Sequence, residues 1–483
     1  MTETIKKSLR DSKVTRWLVL ILVSLAMLTA YLFMEVLSPL KTMVQNAYGW
    51  DNSQWGFVTG AQGYLNVFAG MLILGGIILD KMGVRFTAIM SGIIMLIGAA
   101  LKYYAFVGDL GGDILGIKSQ VFLAASGYAI FCVGAETAGI TVSKIIVKWF
   151  KGKEMALAMG LEMASARLGS ALALFGSPRI AAAIDIPAPI MFAAILLLVG
   201  LILFIIYTIM DVKLDKEIGG SVQNGVGDEE FKISDLKYII KNPGFWYIAL
   251  LCVLFYSAVF PFYKYGPDLM VNKYGVDPAK AGDIPGWLPI GTMLLTPVFG
   301  IFYDRKGRGA SMMILGAILL ILVHLIYWTP SLTSVSFAYM AVIILGIGFS
   351  LVPSAMWPSV PKIVEDRYLG SAYALIFFVQ NIGLLVVPNV VGKVLDIMNP
   401  GVSEKIDAVR QSLIAQQMNP GDIAEKIQAM RVSGELPNYD YTNTWLIFVG
   451  LTFAALVLAF MLKRQDKKSG YGLELPNIKK VQA

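Results

Sequence analysis

Runs of about 20 apolar residues recur along this chain, and few folds accommodate them. A helix of that length rises ~30 Å, the thickness of a bilayer's hydrocarbon core. In hydrocarbon every backbone N–H and C=O must find its partner inside the segment. We therefore read an all-α membrane protein with twelve transmembrane spans. The first six lie near 17–42, 53–79, 86–107, 119–147, 154–178 and 188–211. The second six lie near 244–270, 284–303, 310–329, 334–360, 370–397 and 442–463. Only 15% of the 483 residues are charged, against about 25% in soluble domains. The run from Trp17 to Leu40 is too long for a signal-peptide core and is read as a retained first span.

An even number of spans puts both termini on one side. On that side fall 27 of the 40 Lys and Arg residues, from Lys6 in the first tail to Lys480 in the last. The positive-inside rule makes it cytoplasmic, so the net charge of +7 is read as topology, with no nucleic-acid partner. The expected organisation is a six-helix half over 1–210, a cytoplasmic linker over 211–243, a second half over 244–463, and a tail over 464–483. The linker contains a Gly-rich polar stretch, GGSVQNGVGDEE, and then FKISDLKYIIKN, which could form a short surface helix. The second half carries an insertion over 400–443. There, SEKIDAVRQSLIAQQM and GDIAEKIQAMRV each place apolar residues on one helical face, which predicts an extracytoplasmic helical hairpin.

Two charges stand out among the apolar runs. Glu136 lies 15 residues before Lys151, in a basic turn, and Arg167 lies 16 after it. In an antiparallel pair both sit about 18–21 Å from the turn, near the bilayer centre. An ionised group there costs about 2.5–3.5 kcal/mol to insert, so it faces protein or a watery cavity. The pair is read either as a permanent ion pair that fixes helix packing or as opposite charges lining a substrate cavity.

The chain repeats itself. Gly76-Ile77-Ile78-Leu79-Asp80-Lys81-Met82-Gly83-Val84-Arg85 follows span 2. Gly300-Ile301-Phe302-Tyr303-Asp304-Arg305-Lys306-Gly307-Arg308 follows span 8. Both fit GxxxD[KR]xG at equivalent places in two six-span halves. Lys144-Ile145-Ile146-Val147 likewise matches Lys362-Ile363-Val364. Two similar halves with a midplane site between them is a transporter plan. The glycines permit a tight turn and close helix contact, and Asp80 is placed to face a helix N-terminus. Lys81 and Arg85 also serve as anchors to the cytoplasmic surface.

The doubled motif resembles the signature of the major facilitator superfamily. That implies a fold of two pseudo-symmetric six-helix halves, with the motif closing the cytoplasmic side in the outward-open state. Several further stretches resemble the superfamily's domain-containing protein 1 group, the lysosomal dipeptide uniporters. They are WFKGKE with Met163–Ser170, Val259-Phe260-Pro261-Phe262, Trp357-Pro358, Leu369–Tyr373 and Gln380-Asn381-Ile382-Gly383. The resemblance implies that Glu136 and Arg167 bind the two ends of a dipeptide. The chain departs from that pattern at Glu162 and Lys264, where uncharged residues are expected, and in the 400–443 insertion. It has no acidic-dileucine signal and no N-x-[ST] sequon, so a prokaryotic plasma (inner) membrane is expected.

A dipeptide fits these residues chemically. Arg167 offers a planar fork to the carboxylate and Glu136 an acceptor to the ammonium. Tyr31, Tyr64, Tyr256, Phe262 and Trp357 are candidate walls, and Asn66, Gln380 and Asn381 candidate partners for the peptide group. Packing, interfacial anchoring or interhelical bonding are the alternatives for each. Glu35 and Glu162 are candidate gate or proton-coupling acids. Uniport and proton symport stay open, as does a carrier for another small organic anion that uses Arg167 alone. A non-transporting receptor is a third reading. His324 is expected to be structural; as the only histidine it excludes an HExxH zinc site, and no phosphate loop or GxSxG elbow is present. No enzyme activity, cofactor or metal is expected. The chain is read as a monomer in the bilayer, with an accessory subunit left open.

Overall fold

The computed structural model describes residues 12–150, 153–217 and 237–477. The Gly-rich linker, the first half of the FKISDLKYIIKN segment, Lys151 and Gly152 of the basic turn, and both chain ends lie outside the described residues. The first half contains α1 (Lys13–Glu35), α2 (Lys41–Tyr48), α3 (Asn52–Gly60), α4 (Tyr64–Phe68) and α5 (Met71–Val107). It continues with α6 (Ser119–Phe150), α7 (Met155–Ala183) and α8 (Ala188–Glu217). The second contains α9 (Pro243–Tyr274), α10 (Trp287–Lys306), α11 (Gly309–Trp328), α12 (Val335–Ile363) and α13 (Leu369–Met398). Then come α14 (Val402–Ala415), α15 (Pro420–Val432) and α16 (Thr442–Ser469).

Among the described residues nine helices are long and apolar enough to cross a membrane. The three remaining crossings are α7, α10 and a composite of α3, α4 and the start of α5. The sequence reading of one continuous span over 53–79 is corrected here. The helix breaks between Gly60 and Tyr64 and again at Gly70, whose φ is +61°. Close approach explains the first break. A Cβ on Gly63 would lie 2.9 Å from the Asn381 carbonyl oxygen, and one on Gly60 2.8 Å from that of Leu385. The composite bends so that α13 can lie against its backbone.

Local chemistry sets many of the helix ends. Ser12 caps α1, Asp51 and Gln54 form a capping box on α3, and Asn242 precedes Pro243 at the start of α9. Interior prolines at 178, 261, 267, 297, 353, 358, 361 and 388 leave local backbone bonds unmade and permit bends.

Within the first half α5 runs along α6, and α1 packs on α7 and α8; within the second, α12 packs on α10 and α11, and α16 on α9 and α11. The halves meet through α3 with α13 and through α7 with α10. These are equivalent pairs under the internal repeat.

The side away from the termini is closed by bonds between halves. Lys41 pairs with Asp268 at 2.6 Å, and Arg179 with Asp283 at 2.7 Å. The Asp396 carboxylate accepts from the backbone and side chains of Asn52 and Ser53. On the side of the termini the ion pairs seen among the described residues stay inside a half. Examples are Arg16–Glu154, Lys144–Asp80, and Arg85 and Lys148 with Asp211 and Asp215. Asp80 therefore faces the Lys144 ammonium and not a helix N-terminus. In the second half the chain's end supplies the matching contact. Asn477 donates to Asp304, and Lys362 to the Leu475 carbonyl. Gly83 and Gly307 both take positive φ, +79° and +72°, at the motif turns, where a side chain would be strained. Lys81 and Arg305 are exposed. Gly76 and Gly300 face open space in this state, whereas a Cβ on Gly307 would run into the Glu474 carbonyl oxygen.

Helices α14 and α15 form a hairpin on the closed side. Ile406, Leu413, Ile423 and Ile427 are buried, and Asn419 caps α15 ahead of Pro420. Arg431 is 2% exposed and ties three elements together. It donates to Asn46 of α2 at 3.3 Å, to Asn272 of α9, and to Asn438 at 3.2 Å. Burial lowers its pKa, and Asp268 opposes that shift.

Candidate functional site

Three first-half helices bring the candidate residues to mid-height between the halves. Helix α6 carries Glu136 eight residues, or ~12 Å, beyond Tyr128 on one face. Helix α7 carries Arg167, and α1 carries Tyr31. Glu136, Glu162 and Arg167 all lie within electrostatic range of the Tyr31 hydroxyl, so the four converge. Glu136 and Arg167 are both half-buried. Among the described residues they form no ion pair with each other, and Glu136 has no hydrogen-bond partner. The permanent-ion-pair reading has no counterpart in this geometry.

Arg167 meets the second half instead. Its guanidinium carbon lies 5.6 Å from the Phe349 ring centre and 6.0 Å from that of Phe260. Contacts of this kind hold a cation without using up its N–H donors. Tyr256 stacks on Phe260 at 5.3 Å and meets Phe349 edge to face at 5.7 Å. Trp357 donates its indole N–H to the Tyr256 hydroxyl at 3.1 Å and stacks on Phe377. An arginine from one half thus rests on an aromatic wall built by the other.

The remaining candidates fall elsewhere. Phe262 is fully buried inside the second half, against Tyr327 and Trp445. It is two residues past Phe260, about 200° around the helix, so the two rings face opposite ways. Tyr64 donates to Asn389 at 3.3 Å, across the contact between halves. Asn66 and Asn381 are 1% and 3% exposed, and among the described residues their carbonyl oxygens have no hydrogen-bond partner. Each spends its amide donor on the carbonyl four residues earlier. Gln380 accepts from the Cys252 thiol at 3.5 Å. His324 is buried, accepts from the Trp445 indole at 3.2 Å and stacks on Phe448, a packing role.

Glu35 lies at the end of α1, towards the closed side. It accepts from Lys264 at 2.7 Å and from Ser38 at 2.7 Å, and both charged groups are buried. This pair joins α1 to α9, one from each half. Sequence reasoning missed Phe260, Phe349 and Lys102. Phe260 stood in the quoted Val259–Phe262 run, and helical phase alone decides between its two phenylalanines. Lys102 was visible as a charge five residues inside the end of α5.

The chain matches the family model described as Major Facilitator Superfamily over residues 23–388. It is 28% identical over 344 residues to the lysosomal dipeptide transporter MFSD1 of Danio rerio, covering 68% of this chain and 69% of that protein. Its identity to the Homo sapiens protein of the same name is 27% over 344 residues, with the same coverage. Among solved structures it resembles a bacterial homologue of the human lysosomal transporter Spinster in an inward-facing, unoccupied conformation. The TM-score is 0.67 at 15% identity, covering 95% of this chain and 98% of that one. With twelve crossings in two repeated halves, this chain belongs to the Major Facilitator Superfamily, as a multi-pass membrane transporter and not an enzyme.

Proposed function

We propose that this transporter moves dipeptides across the membrane by alternating access, with Arg167 holding the peptide carboxylate and Glu136 the amino end. The observation that carries this reading is the pair itself. Two opposite charges stand at mid-height, half-buried, each without an ion-pair partner among the described residues. Leaving such groups unpaired in a low-dielectric site is costly, and a zwitterion bridging them relieves both costs at once. Two extended residues span ~7 Å, a reach that suits a cleft between helices. The aromatic wall of Tyr256, Phe260, Phe349 and Trp357 suits variable side chains. The names of the MFSD1 relatives agree with this choice of substrate.

In this reading the terminal side is cytoplasmic, the membrane is a plasma (inner) membrane, and the closed far side is extracytoplasmic. The bonds between halves then describe an inward-facing state. The chain works as a monomer over the domains given above, with α14 and α15 covering the outer mouth. The test is a dipeptide library screened for thermal stabilisation of the purified protein. Stabilisation by free dipeptides, and not by single amino acids or sugar acids, supports the proposal. Stabilisation by monocarboxylates alone replaces it with an organic-anion carrier in which Arg167 acts without Glu136.

A further inference from the structure

Between the midplane site and the closed side lies a small cavity with room for about one water molecule. Ser38, Thr59, Lys102, Tyr128 and Lys264 line it. Two lysines in one buried cavity need an explanation. Lys264 has one, since it pairs with Glu35 at 2.7 Å and donates to Ser38 at 3.0 Å. Lys102 has none. It is 1% exposed, and among the described residues no carboxylate lies within ion-pair distance of it. Its ammonium sits over the faces of Tyr128 at 4.4 Å and Phe33 at 5.2 Å. Lys264 lies 5.6 Å from the same Tyr128 ring, so the two ammonium groups share one aromatic plate. Glu35 pairs with Lys264, and among the described residues Lys102 is left without a carboxylate partner. An anion brought by a ligand would supply the missing partner and hold the Lys102 ammonium charged at that depth.

We propose that Lys102, with Tyr128 and Lys264, forms a carboxylate subsite for an acidic side chain on the transported dipeptide. This rests on the dipeptide reading of Glu136 and Arg167. Tyr128 and Glu136 stand on one face of α6 about 12 Å apart. With the substrate ammonium on Glu136, an extended amino-terminal glutamate reaches ~6 Å, about half that distance, and the hydrogen bonds and lysine side chains supply the rest. The cavity's walls come from both halves, since Lys264 belongs to α9 and Lys102, Tyr128 and Thr59 to the first half. Opening the far side parts those walls and admits the side chain. Lys264 and Trp55, whose indole donates to the Lys264 carbonyl at 3.1 Å, move with that gate.

The test is calorimetric binding of Ala-Ala, Gln-Ala and Glu-Ala to the purified full chain. Glu-Ala should bind about tenfold tighter than its isostere Gln-Ala, the worth of one charge-assisted hydrogen bond. In Lys102→Met that ratio should fall to about one. Thr59→Asp, which places a carboxylate in the cavity from within, should also erase it and covers the case in which Lys102→Met does not fold. A wild-type ratio near one, or a ratio that survives both variants, overturns the proposal. So does a ratio that appears only when chloride is replaced by gluconate, which assigns the cavity to a free inorganic anion. If no dipeptide binds, the reading of Glu136 and Arg167 fails, and this one with it. If Ala-Ala and Gln-Ala bind and Glu-Ala gains nothing, this one fails alone.

Discussion

Lys41 and Asp268 stand 2.6 Å apart with neither side chain exposed to solvent, one on α2 in the first half and the other on α9 in the second. Gln45, Asn52, Thr42 and Tyr441 complete their hydrogen bonds. Removing one partner of a buried pair strands the other, at about 3–5 kcal/mol, and here the loss falls on the far-side-closed state. Lys41→Met should therefore shift the population towards far-side opening. Cysteine placed at Thr59, 6% exposed, should react with a membrane-impermeant maleimide in the Lys41→Met background and stay protected otherwise. Lys41→Met with Asp268→Leu should regain part of the protection, because no charge is left stranded. Equal reactivity in all three backgrounds would show that this pair does not hold the gate.

The hairpin makes a separate contribution to the same closure. Arg431 reaches Asn46 in one half and Asn272 in the other. Arg431→Ala should cost about 3 kcal/mol through lost charge-assisted bonds, lower the melting temperature by several degrees, and expose the α14–α15 turn to protease. Deleting Val402–Pro437 should do the same more strongly. Unchanged melting and proteolysis in both would reduce the hairpin to a passive surface element.

Gly76 and Gly300 have free space around them in this state, yet each occupies the same place in its half. A side chain there is harmless until the terminal side closes. Gly76→Leu should fold and bind substrate normally while abolishing counterflow in liposomes. Wild-type counterflow would mean that this glycine makes no close contact at any stage of the cycle.

Orientation is open to direct labelling. Gln416, in the turn after α14, is exposed, as is Ser469 at the end of α16. Cysteine at Gln416 should react with impermeant reagent on intact cells, and cysteine at Ser469 only after lysis. The reverse pattern would invert the assigned topology.

The fold was legible because its physics is one-dimensional. Long apolar runs must be helical in a bilayer, and a repeated GxxxD[KR]xG motif marks two halves. Residue pairing was less so. Charge and burial singled out Glu136 and Arg167, yet nothing in the order of residues says that Arg167 rests on Phe260 and Phe349 and not on Glu136. Phe262 looked equivalent to Phe260, and only the helix rotation separates a cavity wall from a packed core. Asp80 was read towards a helix N-terminus, and its partner proved to be Lys144, 64 residues away. The break at Gly60–Gly70 depends on how closely α13 approaches, a property of the partner helix and not of the segment itself.

The central claim is that Glu136 and Arg167 grip opposite ends of one substrate, and crossed substrate and residue changes test it most directly. Binding of free, amino-acetylated and carboxyl-amidated dipeptides should be compared in wild type, Glu136→Gln and Arg167→Ala. Glu136→Gln should weaken free dipeptides strongly and acetylated ones little, since the latter carry no ammonium. Arg167→Ala should likewise weaken free dipeptides strongly and amidated ones little, since the latter carry no carboxylate, and Arg167→Lys should rescue poorly because it lacks the planar fork. If folded Glu136→Gln kept the wild-type preference between free and acetylated dipeptides, Glu136 would not be the partner of the amino end.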